Sequence, residues 1–201
     1  MWADFLLAVA ASTVVATIIN QLFQIGREHS GRKEAARLSA LYAIVALEDY
    51  YQKCASFLSE KEDHISSNGC AGENVCSLPD LLDYPEEIDW KRLGIRFTER
   101  MFAFRIGLRE AQGLISYSYN FDSPDGGDTY VRELLATKGL DALQLARDIQ
   151  FEFKLVGLVD DGEHRSEVFL SRTLDRVLEQ RADSQEQQAK SVASLMAAAK
   201  R

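Results

Sequence analysis

Residues 40–58, ALYAIVALEDYYQKCASFL, decide the fold class. Ala40, Ile44, Leu47, Tyr51, Cys54 and Leu58 recur alternately four and three positions apart, whereas Glu48, Asp49, Gln52 and Lys53 fall between them. Steps of three and four put the apolar set on one stripe of an α-helix and the charges on the remainder. The pattern predicts one long helix from about Arg32 to His64, with Cys54 as a small core residue.

Upstream, Phe5 to Gly26 runs for 22 positions without a charged residue. Coiled at about 1.5 Å per residue it reaches roughly 33 Å, enough for the ~30 Å hydrocarbon layer of a bilayer. A cleaved signal peptide would need a basic start and a small-residue cleavage site, but Met1-Trp2-Ala3-Asp4 is acidic and the run leaves through Ile18, Ile19, Asn20 and Gln21. A core helix diluted by Ser12, Thr13 and Thr17 is the other alternative. The expectation is a transmembrane anchor over 1–26. Arg27, Arg32, Lys33 and Arg37 follow it, and no Lys or Arg precedes it. Basic flanks stay on the cytoplasmic side, so the N-terminus is expected outside, Trp2 at the outer interface and the rest in the cytoplasm. Ala8, Ser12, Ala16 and Asn20, four apart, make a small stripe ending in an amide, suited to close association with a second copy or a membrane partner. No proline separates the anchor from the long helix, so the two can be nearly continuous.

Downstream, residues 64–86 break the period with Ser66, Ser67, Asn68, Gly69, Gly72, Asn74 and Pro79, and predict a long loop carrying Cys70 and Cys76. Pro85-Glu86-Glu87 reads as a helix start. Trp90, Leu93, Phe97, Met101, Phe104, Leu108, Ala111 and Ile115 then mark a helix of about thirty residues, expected antiparallel to the first. Asp128 is placed to cap the next helix and Gly139 to interrupt it, with Ala142, Ala146, Ile149, Phe153 and Val156 as its stripe. Leu170, Leu174 and Val177 mark the last core helix, and 183–201 is a Gln- and Ala-rich tail. The fold class expected is all-α: the N-terminal anchor, then an antiparallel, up-and-down bundle of about four helices over 27–182.

The totals agree. In 201 residues, 46% are hydrophobic and 27% charged, with 12 glycines and 3 prolines, which favours one helical domain over disorder. A net charge of −8 opposes general nucleic-acid binding. Three cysteines do not form a disulfide framework and suit a reducing compartment.

Tests for chemistry are negative. Cys70 and Cys76 with His64 lack the spacing of a zinc knuckle. In Asp122 to Glu133 the third and fifth calcium-loop positions are Pro124 and Gly126, which carry no side-chain oxygen. None of His29, His64 and His164 follows Glu by three positions, as a di-iron bundle requires. Nucleophile-elbow and phosphate-loop motifs are absent. No catalytic, metal or cofactor site is expected. The expectation is a single-pass, membrane-tethered interaction or scaffold protein, with a membrane-bound enzyme or effector holding a pocket between helices as the alternative.

In its anchor, in Leu78-Pro79-Asp80 to Pro85 with Asp89-Trp90, and in Gly139-Leu140 through Ala146-Arg147, the chain resembles a loose set of uncharacterised bacterial membrane-anchored helical proteins. The resemblance implies the bacterial cytoplasmic membrane and supplies no function.

Overall fold

The computed structural model describes the backbone of residues 2–80, 82–121, 124–155 and 161–198; side chains are described from residue 31 on, except 81, 122–125, 156–164, 188 and 192–201. The described residues form an all-helical bundle: α1 (Trp2–Ser66), α2 (Trp90–Leu93), α3 (Ile95–Phe121), α4 (Pro124–Phe153) and α5 (Asp161–Ala198). The side chains of the apolar run 5–26, the stripe Ala8, Ser12, Ala16, Asn20, and Arg27 lie outside the described residues. Among the described residues no helix is long and apolar enough to cross a membrane.

The stripe read from the sequence is the core of α1: Ala40, Ile44, Leu47, Tyr51, Cys54 and Leu58 are all fully buried. α4 is the central helix and packs on α1, α3 and α5. Directions follow from side-chain pairs. Lys61 meets Asp128 while Arg37 reaches the Lys154 carbonyl, so α4 runs antiparallel to α1. Arg147 meets Glu167 and Arg132 meets Gln180, so α5 runs antiparallel to α4.

The expected up-and-down topology is corrected at α3. Its start lies beside Ser39 of α1, whose Oγ accepts from the N–H of Asp89, just ahead of α2, at 3.1 Å. Its end lies beside Lys61, whose Nζ is 3.4 Å from the Tyr119 hydroxyl. α3 is therefore parallel to α1, and α4 is the antiparallel partner of both. What makes this possible is the segment 67–89, which is a crossover running the length of the bundle. Asn68 and Gly69 take left-handed φ values of 53° and 83° and stop α1. Gly72 then lies against α1 so closely that a Cβ there would stand 2.3 Å from the Glu60 carbonyl oxygen. Leu78, Leu82 and Ile88 are buried, the Leu78 N–H donates to Gln112 Oε1 at 2.9 Å, and the Tyr84 hydroxyl donates to the Met101 carbonyl at 2.7 Å. The crossover thus covers the seam between α1 and α3.

Three local expectations change. Pro85 to Ile88 is a turn, closed by the Ile88 N–H on the Pro85 carbonyl, and the helix begins at Trp90 with Asp89 as its cap. Asp128 does not cap α4, which starts at Pro124, where a missing N–H costs nothing. Gly139 does not interrupt α4; a Cβ there would stand 2.8 Å from Leu170 Cδ1 and 3.1 Å from Cys54 Cβ, so the glycine lets α1, α4 and α5 approach. Phe104 is half-buried, packing edge-on against Tyr50 at 5.8 Å, with Met101 and Leu108 buried on either side.

Candidate functional site: two polar ends and an open helix face

Each end of the bundle concentrates polar chemistry. At the end near residue 61, Lys61 is fully buried. Its Nζ donates to Asn74 Oδ1 and pairs with Asp128 Oδ1, both at 2.6 Å, with the Tyr119 hydroxyl at 3.4 Å. That hydroxyl donates to the same Asp128 oxygen at 2.6 Å. Gly127 makes room for the ring, since a Cβ there would lie 2.5 Å from Tyr119 Cδ1. Burial, then the Asp128 carboxylate and the Cys76 thiol, push the Tyr119 phenol well above its ordinary range. Arg132 pairs with Glu62 at 2.6 Å beside this cluster. An ammonium taken out of water costs several kcal/mol unless its donors are satisfied, and here acceptors from the crossover, α3 and α4 converge on it. The cluster is a latch joining four segments: the ammonium is buried, while Asn74 and about a third of the Asp128 side chain stay open to solvent.

At the opposite end the arrangement is open. Arg32, Lys33 and Ala36 of α1 and Asp89, Lys91 and Arg92 line a cleft of about 520 Å³. Both α1 cations and both α2 cations are exposed. Asp89 fixes Arg92 through a 2.7 Å ion pair and also accepts from the Lys91 and Arg92 N–H groups. Arg32, Lys33 and Arg37 were expected to set topology; the crossover adds Lys91 and Arg92 to them, a junction invisible at 58 residues' separation in sequence. Arg37 reaches α4 by donating to the Lys154 carbonyl at 3.4 Å. The same end exposes Phe151, at 86%, and Ile95, at 78%.

Between the ends, the outward face of α3 carries Ile95, Phe102, Ile106, Leu114, Tyr117 and Phe121, all exposed. They follow helical steps on the side opposite the buried Phe97, Met101, Leu108 and Ile115. Tyr117 and Phe121 pack together at 4.7 Å between ring centroids.

Cys54 is buried, whereas Cys70 and Cys76 are exposed, and all three are free thiols. Burial pushes the Cys54 thiol up to about 12. Among the described residues no group of three or more His, Cys, Asp or Glu is placed to hold a metal ion. Comparison with protein-family models, with curated proteins and with solved structures finds no match.

Proposed function

We infer that the chain is a single-pass, membrane-tethered helical interaction protein of the bacterial cytoplasmic membrane, with its N-terminus outside and its bundle in the cytoplasm. The observation that carries the interaction is the outward face of α3, where six large apolar side chains stay exposed, Phe102 lying against the Trp90 ring and Tyr117 against Phe121. Exposed apolar stripes of this extent mark docking surfaces. The tether rests on the uncharged run 5–26, which belongs to the same continuous helix as the basic residues Arg32, Lys33 and Arg37. Copies held by the same anchor would be parallel. Two α3 faces meeting in parallel would set Arg109 beside Arg109 and Glu99 beside Glu99, so the face suits a helix of another protein, and association between copies falls to Ala8, Ser12, Ala16 and Asn20 in the anchor. A pocket-bearing enzyme or effector draws less support, because the polar groups around Lys61 are engaged with one another in hydrogen bonds and an ion pair.

A photo-crosslinking residue at Tyr117 in the full chain, activated in membranes, is expected to give a discrete adduct heavier than the chain. The same residue at exposed Glu179 on α5 should not give it. Identical adducts from both positions, or none, would overturn the docking face. Exposed Cys70 and Cys76 report the topology: an impermeant thiol reagent should label them only after the membrane is opened, and labelling of sealed cells would reverse the orientation.

A further inference from the structure

We propose that the cleft between α1 and α2 binds the phosphate of an anionic phospholipid headgroup, and that this end of the bundle rests on the membrane surface. The proposal rests on the tether reading for its geometry. From Gly26, where the uncharged run ends, to Arg32 is six helical residues, or roughly 9 Å of rise, and the headgroup layer on one side of a bilayer is about 5–8 Å deep. Arg32 and Lys33 therefore emerge at the outer edge of the headgroups.

Position alone would describe any juxtamembrane cluster, and two features of the fold go further. First, the crossover returns the chain along the whole bundle and sets Lys91 and Arg92 opposite Arg32 and Lys33 around one cleft of about 520 Å³, whose lining among the described residues includes one carboxylate, Asp89. Asp89 is committed to Arg92 and to two backbone N–H groups, which aims the guanidinium, while the exposed Lys33 and Lys91 line the same cleft. Guanidinium and ammonium groups on opposite walls suit the oxygens of a phosphodiester. In a chain of net charge −8 this concentration of cations is out of proportion. Second, Phe151 and Ile95, the two most exposed large apolar side chains among the described residues, lie at this same end. Exposed apolar groups among cations are the pairing that settles at a lipid interface. A soluble phosphate would use the cleft alone; the apolar side chains beside it favour the lipid.

The test uses the full chain. Flotation with vesicles of phosphatidylcholine alone examines the tether, since zwitterionic lipid offers no net charge to the cleft. The cleft is examined by the melting temperature of the chain in phosphatidylcholine bilayers with and without roughly one-third phosphatidylglycerol. A rise of about 4 °C or more on adding phosphatidylglycerol is expected, and it should vanish in the triple variant Lys33→Gln, Lys91→Gln, Arg92→Gln. It should persist in a control that removes three exposed cations of α5, Arg165→Gln, Arg172→Gln and Lys190→Gln. Equal loss in both triples, or no rise in the unaltered chain, overturns the cleft even if flotation succeeds. Flotation that fails on phosphatidylcholine while the rise remains specific to the first triple overturns the tether and keeps the cleft. An equal rise from soluble glycerol phosphate at millimolar concentration overturns the lipid as the source.

Discussion

The two ends of the bundle hold cations in opposite ways. Lys61 is the only lysine among the described residues that is fully buried, and its neighbours supply acceptors at 2.6 Å on two sides. Lys33 and Lys91 stand in solvent around an open cleft that Arg32, Arg92 and the Asp89 carboxylate also line. A cation buried among its acceptors shapes the fold, and exposed cations gathered around an open cleft are held ready for something outside it. The difference separates structural charge from binding charge within one small protein, and each of its terms can be measured.

The largest effect is expected at Lys61. Lys61→Ala removes the ammonium that Asn74 and Asp128 accept from; Asp128 keeps the Tyr119 hydroxyl and partial access to solvent, so the cost should approach from below the about 3–5 kcal/mol of fully buried pairs. Urea unfolding should show the midpoint falling by the corresponding amount. Lys61→Met with Asp128→Asn, which removes both charges and keeps the volume, should recover much of the loss. If Lys61→Ala unfolds at the same urea concentration as the unaltered chain, the latch is not structural.

The glycines carry the same contrast into α3 and α4. Gly139→Ala gains helix propensity but drives a Cβ to 3.1 Å from Cys54 Cβ, where three helices meet, and is expected to destabilise by about 1–2 kcal/mol. Gly113→Ala, on the exposed side of α3 with nothing within 4 Å, should stabilise by about 0.5–1 kcal/mol. Thermal unfolding of the two variants should shift in opposite directions.

How much of this was legible in the sequence depends on the kind of information. Periodicity identified the buried faces of α1, α3 and α5, because burial of one stripe is a local consequence of 3.6 residues per turn. It could not give direction. Whether α3 runs with or against α1 depends on residues 67–89, and a segment rich in Ser, Gly and Asn reads as a loop whether it turns back at once or travels the full length. Lys61 was missed because lysine in a helix is ordinarily solvated. A signal was present: the steps 40, 44, 47, 51, 54, 58 continue to 61, so the lysine occupies a core position. Gly139 was misread for a similar reason, since a glycine that breaks a helix and one that admits a neighbouring helix look alike without the neighbour. The basic cleft was half legible, as its α1 half follows the apolar run directly while Lys91 and Arg92 arrive only through the crossover.

Between the ends, the core supplies a test of intermediate size. Burial raises the Cys54 thiol to about 12, and it raises the Tyr50 and Tyr84 phenols well above their ordinary values. The folded state therefore keeps protons that the unfolded chain releases near pH 8.5 to 10, so stability is full below that range and falls as pH rises through it. Each such group contributes a slope of up to about 1.4 kcal/mol per pH unit. The urea midpoint should begin to fall above pH 9, and Cys54→Ala should delay the fall to about pH 10, where the tyrosines take over. An unchanged onset would place the thiol in contact with solvent.

The smallest effect, and the one that distinguishes the two kinds of cation most directly, belongs to Lys91. If the exposed cations of the cleft serve binding, Lys91→Gln relieves repulsion from Lys33 and Arg92 and removes no contact that holds the fold. Its effect on stability should lie within about 0.5 kcal/mol of zero, and on the stabilising side at low ionic strength. Raising the salt to 1 M shortens the screening length to about 3 Å, so any gain should disappear. Lys61→Ala should remain destabilising under both conditions, because a buried pair is screened far less than an exposed one. Chemical denaturation of both variants with urea, which leaves ionic strength free to vary, measures this directly. A loss at Lys91 comparable to the loss at Lys61, insensitive to salt, would show that the basic end is as structural as the latch and would remove the ground for treating its charge as binding charge.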